Sequence, residues 1–449
     1  MNPAARRILL SVVAIALVVL AAGLWILRGP GPMAFADGPK VALTDYKAGD
    51  PTGVPASLAK ADLVERGAYL ARAADCMACH TSQGGKDFAG GLVIRLPFGT
   101  LYTTNITPDK ETGIGNYTDQ DFLNAVHRGT RRDGARLYPA MPFTSYAYMT
   151  DADALAIKAY LFSLAPVRAA VPANTLMFPF NQRWAMGFWS VLFNPDVRYA
   201  PDAAKSLEWN RGAYLAEALA HCGECHTPRN LAFAMNNRKK FAGAVTAGWR
   251  AFNISSDKAT GVGAWSDADL ASYLSIGHAT GHGTASGPMG EAVDRSFSQL
   301  TSEDIRAVVA YLRTVPAIAS TDLPATLAPP APASHKEGGS TPDARGKMVF
   351  EGACVSCHGW TGESSIAPFA TLTGAWAVND PGATNVAQIV ISGTRRHTPA
   401  DAVSMPAFGN AYSDAEIAAV ANYVTARFGS KGSQLTAQDV AELRKQTSE

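Results

Sequence analysis

Three copies of the pattern C-x-x-C-H constrain this chain more than any other feature of its sequence. They run from Cys76 to His80, from Cys222 to His226 and from Cys354 to His358, and they use all six cysteines. In this pattern two thiols bond the vinyl groups of a porphyrin and the adjacent imidazole binds the iron. A zinc knuckle or a dithiol redox pair would account for one C-x-x-C, but not for three histidines at the same offset. The sequence therefore predicts three covalently bound c-type haems, attached through Cys76, Cys79, Cys222, Cys225, Cys354 and Cys357, with His80, His226 and His358 as iron ligands.

A repeated unit surrounds each motif. Arg66-Gly67-Ala68-Tyr69-Leu70 precedes the first motif, Arg211-Gly212-Ala213-Tyr214-Leu215 precedes the second, and Arg345-Gly346 precedes the third. Residues 105 to 121 also recur as residues 253 to 269. Internal repeats of this kind indicate structural units that follow one another along the chain.

Each unit is predicted to end with one helix. The three helix starts resemble capping boxes, because Thr150, Thr301 and Ser413 each lie three residues before an acidic residue. A tyrosine follows each start by ten residues, and we expect it to pack against the haem or the opening helix and not to react. These tyrosines are Tyr160, Tyr311 and Tyr423.

The repeat also selects a second ligand for each iron. Methionine opposite histidine raises the reduction potential of a haem and leaves no open position for chemistry. Three of the 11 methionines lie at matching positions of the three units, each 12 residues after a matching glycine. Met149, Met177, Met186 and Met235 have no such repeat partner, and His127, His278, His282 and His397 lie opposite other residue types. We predict that the second ligands are Met141, Met289 and Met405.

Two arginine pairs match in the same frame and either neutralise haem propionates or form solvated basic loops. They are Arg131 with Arg132 and Arg395 with Arg396.

The N-terminal region contains one long apolar segment. Ile8 to Leu27 holds 20 residues without charge, with Arg6 and Arg7 before it, and a helix of that length spans about 30 Å, the thickness of the bilayer hydrocarbon. The alternative is a cleaved signal peptide with an A-x-A site at residues 34 to 36. The run is longer than a typical signal core, so we favour a retained anchor, with the rest of the chain outside the cytoplasm.

Length and charge set the remaining limits. A chain of 449 residues has room for about three domains, and a formal net charge of +1 argues against a nucleic-acid partner. Units of this size bury little surface alone, and a haem supplies each with an apolar centre. We therefore predict an all-α fold with three tandem cytochrome c-like domains after an N-terminal transmembrane helix.

The predicted boundaries follow from the repeats and from composition. The connector is rich in aromatic residues between Phe178 and Phe193, which form either a docking surface or ordinary core. The Pro- and Ala-rich linker suggests that the third domain can shift relative to the first two. The segments are 1–28 (transmembrane anchor or signal), 29–58 (tether), 59–165 (domain 1), 166–204 (aromatic-rich connector), 205–315 (domain 2), 316–342 (linker), 343–430 (domain 3) and 431–449 (C-terminal tail, forming a short exposed helix).

Several of these stretches resemble one known family. The Arg66 to Leu70 segment, residues 97 to 100, residues 105 to 121 and residues 137 to 142 are similar to the tri-haem cytochrome c subunits of bacterial membrane-bound dehydrogenases. The resemblance covers residues 60 to 430. It implies an electron-transfer subunit without substrate chemistry of its own, located at the inner membrane with its haem domains in the periplasm.

The resemblance also implies partners. A separate catalytic subunit carrying PQQ, flavin or molybdenum would oxidise an alcohol or aldehyde, and this chain would pass the electrons to membrane ubiquinone. One alternative is the cytochrome partner of a gluconate or polyol flavin dehydrogenase or of a molybdenum hydroxylase. Further alternatives are a multi-haem peroxidase-like enzyme with one open iron position and an electron shuttle that has no dedicated dehydrogenase.

Overall fold

The computed structural model describes residues 2–34, 50–320, 344–397 and 402–447. Most of the predicted linker and the middle of the predicted tether therefore lie outside the described residues. In each of the three domains an opening helix crosses a closing helix, and the haem motif follows the opening helix directly.

The first domain is built on the crossing of α2 and α6, and a small antiparallel sheet lies beside it. Strand β3 comes from the connector and pairs with β2, with Gly99 opposite Leu176. The connector therefore completes the first domain and also carries the apolar helix α7. The elements of this region are α2 (Leu63–Ala73), α3 (Cys76–His80), β1 (Val93–Leu96), β2 (Gly99–Tyr102), α4 (Asp119–Arg128), α5 (Phe143–Tyr146), α6 (Asp151–Ser163), β3 (Thr175–Leu176) and α7 (Ala185–Phe193).

The second domain repeats this plan, with α8 crossing α12. A π-helical segment, Tyr214–Leu219, extends α8 toward the haem motif. Two short antiparallel hairpins complete the domain. Its elements are α8 (Leu207–Ala213), α9 (Gly223–His226), β4 (Ala244–Thr246), β5 (Trp249–Ala251), α10 (Asp267–Ile276), β6 (His278–Ala279), β7 (Gly283–Thr284), α11 (Gly287–Arg295) and α12 (Ser302–Leu312).

The third domain has the same crossing between α13 and α17, and it includes the C-terminal helix. That helix was predicted to be exposed, but it packs against α16 and α17 with Val440 fully buried. Arg444 fixes it by donating to the carbonyl oxygen of Tyr412 at 2.7 Å. The elements are α13 (Ala344–Val349), α14 (Val355–His358), α15 (Trp376–Asn379), α16 (Thr384–Ser392), β8 (Thr394–His397), β9 (Ala402–Met405), α17 (Asp414–Phe428) and α18 (Ala437–Gln446).

One glycine in each opening helix explains the repeated Arg-Gly pair. A Cβ atom added to Gly67, Gly212 or Gly346 would lie 1.9, 1.8 or 2.2 Å from a carbonyl oxygen of the closing helix. A carbon atom cannot approach an oxygen so closely, so only glycine permits these helices to cross at this distance. The next-nearest groups include the Cβ atoms of the three repeated tyrosines, at 2.9 to 3.0 Å. The expectation that the tyrosines pack against the opening helix is confirmed.

The first two domains are joined by reciprocal hydrogen bonds. The Tyr69 hydroxyl of the first domain donates to Asp304 of the second at 2.6 Å, and the Tyr214 hydroxyl of the second donates to Asp153 of the first at 2.6 Å. Both carboxylates are fully buried, and each also pairs with the arginine of its own repeat, Arg211 or Arg66. A buried carboxylate needs such a complete set of donors. The two domains therefore form one unit.

The end of the predicted tether is part of this junction. The backbone N–H of Gly53 donates to Asp153 at 2.7 Å, and its carbonyl oxygen accepts from Arg211 at 2.5 Å. Residues 51 to 55 thus lie fixed between the domains and do not behave as a free spacer. This part of the tether differs from the prediction because composition does not reveal backbone contacts.

The third domain lies against the second. Arg396 is buried, donates to the carbonyl oxygen of Gly290 and pairs with Asp294 at 3.0 Å. Asn385 and Arg250 exchange two hydrogen bonds, of 2.8 and 2.9 Å. Arg396 therefore does not lie in a solvated basic loop, which was one of the two expectations for it. It ties the third domain to the second, and the propionate role and the movement of the third domain stay predictions.

Helix α1 (Pro3–Arg28) is exposed along its length and leaves the protein beside α7. Within the described residues it is the one helix long and apolar enough to cross a membrane. Its last turn is held by the second domain: Asn230 donates to the carbonyl oxygen of Leu27 at 3.1 Å and Arg238 to that of Ile26 at 2.5 Å. The position of α1 relative to the haem domains is therefore set by specific contacts.

Candidate haem sites

The three motif histidines share one hydrogen bond. The Nδ1 atoms of His80, His226 and His358 each lie 2.6 Å from a backbone carbonyl oxygen. A carbonyl only accepts, so each Nδ1 carries the proton and Nε2 carries the lone pair that a metal requires. The accepting residues are Thr104, Phe252 and Ala370.

Burial keeps these imidazoles neutral. Loss of water lowers the pKa of His80, His226 and His358, and the hydrogen bond to the carbonyl opposes this shift only in part. A histidine whose pKa lies below its usual value is uncharged at neutral pH. All three side chains are therefore in the form that binds iron.

The motif cysteines lie in surroundings that disfavour charge. Burial raises the pKa of the Cys76 and Cys222 thiols to about 12 and that of Cys354 to about 11. None of the six cysteines forms a disulfide. A site that disfavours a thiolate suits an uncharged thioether, which is what attachment to a porphyrin vinyl group produces.

The predicted methionines occupy matching places in the three domains. In each, a helix ends at a glycine with positive φ, and the methionine follows in the next segment. The segments differ, since Met141 precedes α5, Met289 lies in α11 and Met405 lies in β9. All three side chains are partly buried against the domain cores. Neutral histidine, thioether-compatible cysteine and a partly buried methionine fit a c-type haem, so these residues stay our predicted ligands.

Other histidines are engaged elsewhere. His278 lies 2.9 Å from the Thr284 hydroxyl, and His282 stacks on Trp265 with ring centroids 3.8 Å apart. His127 faces Asp151 at 3.6 Å. These contacts are consistent with the repeat argument, which gave none of them a ligand role.

The first and second haem motifs face each other. The Tyr146 hydroxyl donates to the carbonyl oxygen of Ala74 at 2.6 Å, and its ring lies 5.5 Å from that of His221. Ala74 lies two residues before the first motif and His221 one residue before the second. Thr144 donates to Glu224, inside the second motif, at 2.9 Å. A single layer of side chains thus separates the two motifs.

The second and third motifs are also neighbours. Trp376 of the third domain packs edge-on against Phe252, whose carbonyl oxygen holds His226. On the other side, Thr284 of the second domain donates at 3.0 Å to the carbonyl oxygen of Phe369. The next residue, Ala370, holds His358. The three motifs therefore form a continuous series, first to second to third.

Sequence reasoning did not identify the residues at these junctions. Tyr146, His221 and Trp376 have no counterparts in the other repeats, so the register gave no signal for them. The two tyrosines that bond across the boundary between the first two domains could have been found from the repeat. Tyr69 and Tyr214 match each other, whereas the third repeat has Met348, which is exposed.

Comparisons with known proteins agree with this description. The cytochrome c family pattern matches residues 64–165, 210–316 and 344–427. The fructose dehydrogenase cytochrome subunit of Gluconobacter japonicus is 38% identical over 90% of this chain and 87% of its own length. The gluconate 2-dehydrogenase cytochrome c subunit of Pantoea cypripedii is 38% identical, covering 85% and 90%. The cytochrome c subunit of the alcohol dehydrogenase (quinone) of Gluconobacter oxydans is 36% identical, covering 85% and 82%.

These matches confirm the predicted fold of tandem cytochrome c-like domains and the prediction of three covalently bound c-type haems. They also confirm a role in electron transfer as the cytochrome subunit of a dehydrogenase complex. The short hairpins and the sheet of the first domain are additions to the all-α plan. The chain belongs to the cytochrome c family, and within it to the tri-haem cytochrome c subunits of bacterial membrane-bound dehydrogenases.

Proposed function

We propose that this chain relays electrons from a periplasmic dehydrogenase subunit to ubiquinone in the membrane. The observation that carries the proposal is the continuous series of haem motifs. One layer of side chains separates the first from the second, and the segments that hold His226 and His358 contact the neighbouring domain. A haem bound by histidine and methionine changes its oxidation state with little ligand movement, which suits electron transfer and not substrate chemistry.

The proposed ligands follow from the sites. Each porphyrin would be bonded by the two cysteines of one motif, with iron between the motif histidine and Met141, Met289 or Met405. The hydrogen bonds to the Nδ1 atoms hold the rings in one orientation, and burial excludes water. This chain supplies position and surroundings, and the haem supplies a one-electron carrier when it is bound.

We propose further that α1 stays in the mature protein as a membrane anchor. Asn230, Asn237 and Arg238 donate to the carbonyl oxygens of Leu27, Pro30 and Ile26. A signal peptide that is removed would not need such contacts with the folded domains.

We expect the intact mass of the haem-loaded protein from detergent-solubilised membranes to include residues 2–36. N-terminal sequencing would give the same answer independently. A mature chain beginning at Asp37 would contradict the anchor but not the proposed periplasmic location.

The proposed electron donor is a catalytic subunit that oxidises a hydroxyl or aldehyde group. The three relatives are named for alcohol, fructose and gluconate dehydrogenases at almost equal identity, so these names support the type of partner and not one substrate.

The relay is tested by reconstitution. The purified catalytic subunit with its substrate should reduce ubiquinone in lipid vesicles only when this chain is present. Equal rates without the chain would contradict the relay. Substrate oxidation by this chain alone would favour the enzyme alternative.

A further inference from the structure

A cavity of about 230 Å³ lies where α1 leaves the second domain. Its walls come from the last turn of α1, from α7, and from the segment after the second haem motif. Bulky apolar side chains form much of the lining, and two arginines border it. The lining includes Arg28, Tyr148, Leu192, Arg229 and Met235.

The surface beside the cavity is apolar. Helix α7 carries no charged residue, and Phe188 and Val191 on it are 70% and 79% exposed. Leu231 is 96% exposed and is next to Asn230, which holds the end of α1. These side chains therefore lie at the level where α1 enters the bilayer, and aromatic and aliphatic residues beside a spanning helix suit the lipid interface. The cavity therefore lies beside the apolar surface that we place against the lipid.

Hydrogen-bond donors line the cavity. The Tyr148 side chain is largely buried in its wall, and Arg28 borders it. A ring that carries carbonyl oxygen atoms can accept hydrogen bonds from these two groups.

The cavity adjoins the second haem motif. Arg229, in its wall, donates to the backbone oxygen and the carboxylate of Glu224, both at 2.7 Å. Met235 also lines the wall, and its sulfur atom packs against Gly223: a Cβ atom added to this glycine would lie 3.1 Å from the sulfur. Glu224 and Gly223 both belong to the motif from Cys222 to His226. Of the third-domain residues that the structure describes, none lines this cavity.

We propose that this cavity binds the ring of a quinone that enters from the bilayer and is reduced by electrons passing through the second haem domain. The inference rests on the proposed relay and assigns its acceptor site. The quinone gains two electrons, which the relay delivers singly from the oxidised substrate, and two protons from water, giving the quinol. The third domain does not border the cavity in the described residues and is free to face the catalytic subunit.

The test compares two neighbouring substitutions in the complete membrane complex. Leu192→Trp places an indole in the cavity, whereas Val191→Trp places the same ring on the exposed face of α7. With decylubiquinone as acceptor, Leu192→Trp should raise KM about tenfold or more, because the ring and the quinone compete for one space. Val191→Trp should leave KM unchanged. Reduction of ferricyanide and the haem content should be equal in both variants and in the parent.

A photoreactive azido-ubiquinone gives a readout that does not depend on turnover. It should label peptides from 185–195 or 229–237, and excess decylubiquinone should prevent the labelling. Equal KM values for the two variants, or labelling confined to the third domain, would overturn the site while the relay itself stands. Failure of the parent complex to reduce decylubiquinone would overturn the relay.

Discussion

Replacing Asp304 by alanine should raise the free energy of the folded second domain by about 3 to 5 kcal/mol, because it leaves a buried guanidinium without its carboxylate. Asp304 is fully buried and accepts from Arg211 at 2.8 and 2.6 Å and from Tyr69 at 2.6 Å. The change therefore also removes one of the two reciprocal tyrosine–carboxylate bonds between the first two domains. Faster amide hydrogen exchange in α12 would report the loss.

The third repeat supplies a matched control. Glu416 occupies the position of Asp304, but it lies at an exposed helix start, where it accepts from Ser413 in the capping box and attracts Arg345 without burial. Glu416→Ala should cost about 1 kcal/mol in α17, as the loss of a helix cap does. Similar increases in exchange for the two variants would contradict the role given to the buried pair.

Replacing Met141, Met289 or Met405 by alanine should lower one of the three reduction potentials by on the order of 100 mV or more, because methionine ligation raises the potential of a haem. All three haems should stay attached, since the cysteines are unchanged. The ferrous variant should bind carbon monoxide at the vacated position, whereas the parent should bind it poorly. Potentiometric titration and absorption spectra measure both effects.

Met177→Ala is the control for these substitutions. Met177 is exposed and has no counterpart in the other repeats, so its loss should leave all three potentials unchanged. If one of the three predicted ligands behaved like Met177, its assignment would be wrong.

The sequence could predict features that recur at fixed spacing. Gly67, Gly212 and Gly346 recur because each helix crossing brings backbone to backbone. The tyrosine ten residues into each closing helix recurs because it packs on that glycine. Comparison of the repeats identifies such positions because the same helix crossing in every copy requires the same residue type.

Contacts between the repeats could not be predicted in this way. Arg396 matches Arg132 by register, yet it crosses into the second domain while Arg132 lies near Asp121 at 3.8 Å. The contacts of these two arginines differ because a different domain lies beside each of them. The spacing of residues within one repeat does not indicate which domain that is. The burial of α18 and the fixed end of the tether have the same origin.

Interdomain contacts also explain a difference between the repeats. Tyr69 and Tyr214 each reach the carboxylate of the other domain, so the first two repeats need a hydroxyl at this position. Met348 stands at this position in the third repeat; it is 64% exposed, and its thioether cannot donate such a bond. The third domain is held instead through Arg396, Asn385 and Trp376.

Stopped-flow absorption spectroscopy of the membrane complex tests the central claim most directly. After substrate is added to complex freed of quinone, the absorption of all three haems should change to that of the reduced form. Decylubiquinone added next should reoxidise the haems at least as fast as the complex turns over. Quinone reduction while the haems stay oxidised, or haem reoxidation slower than turnover, would show that the electrons do not pass through this chain.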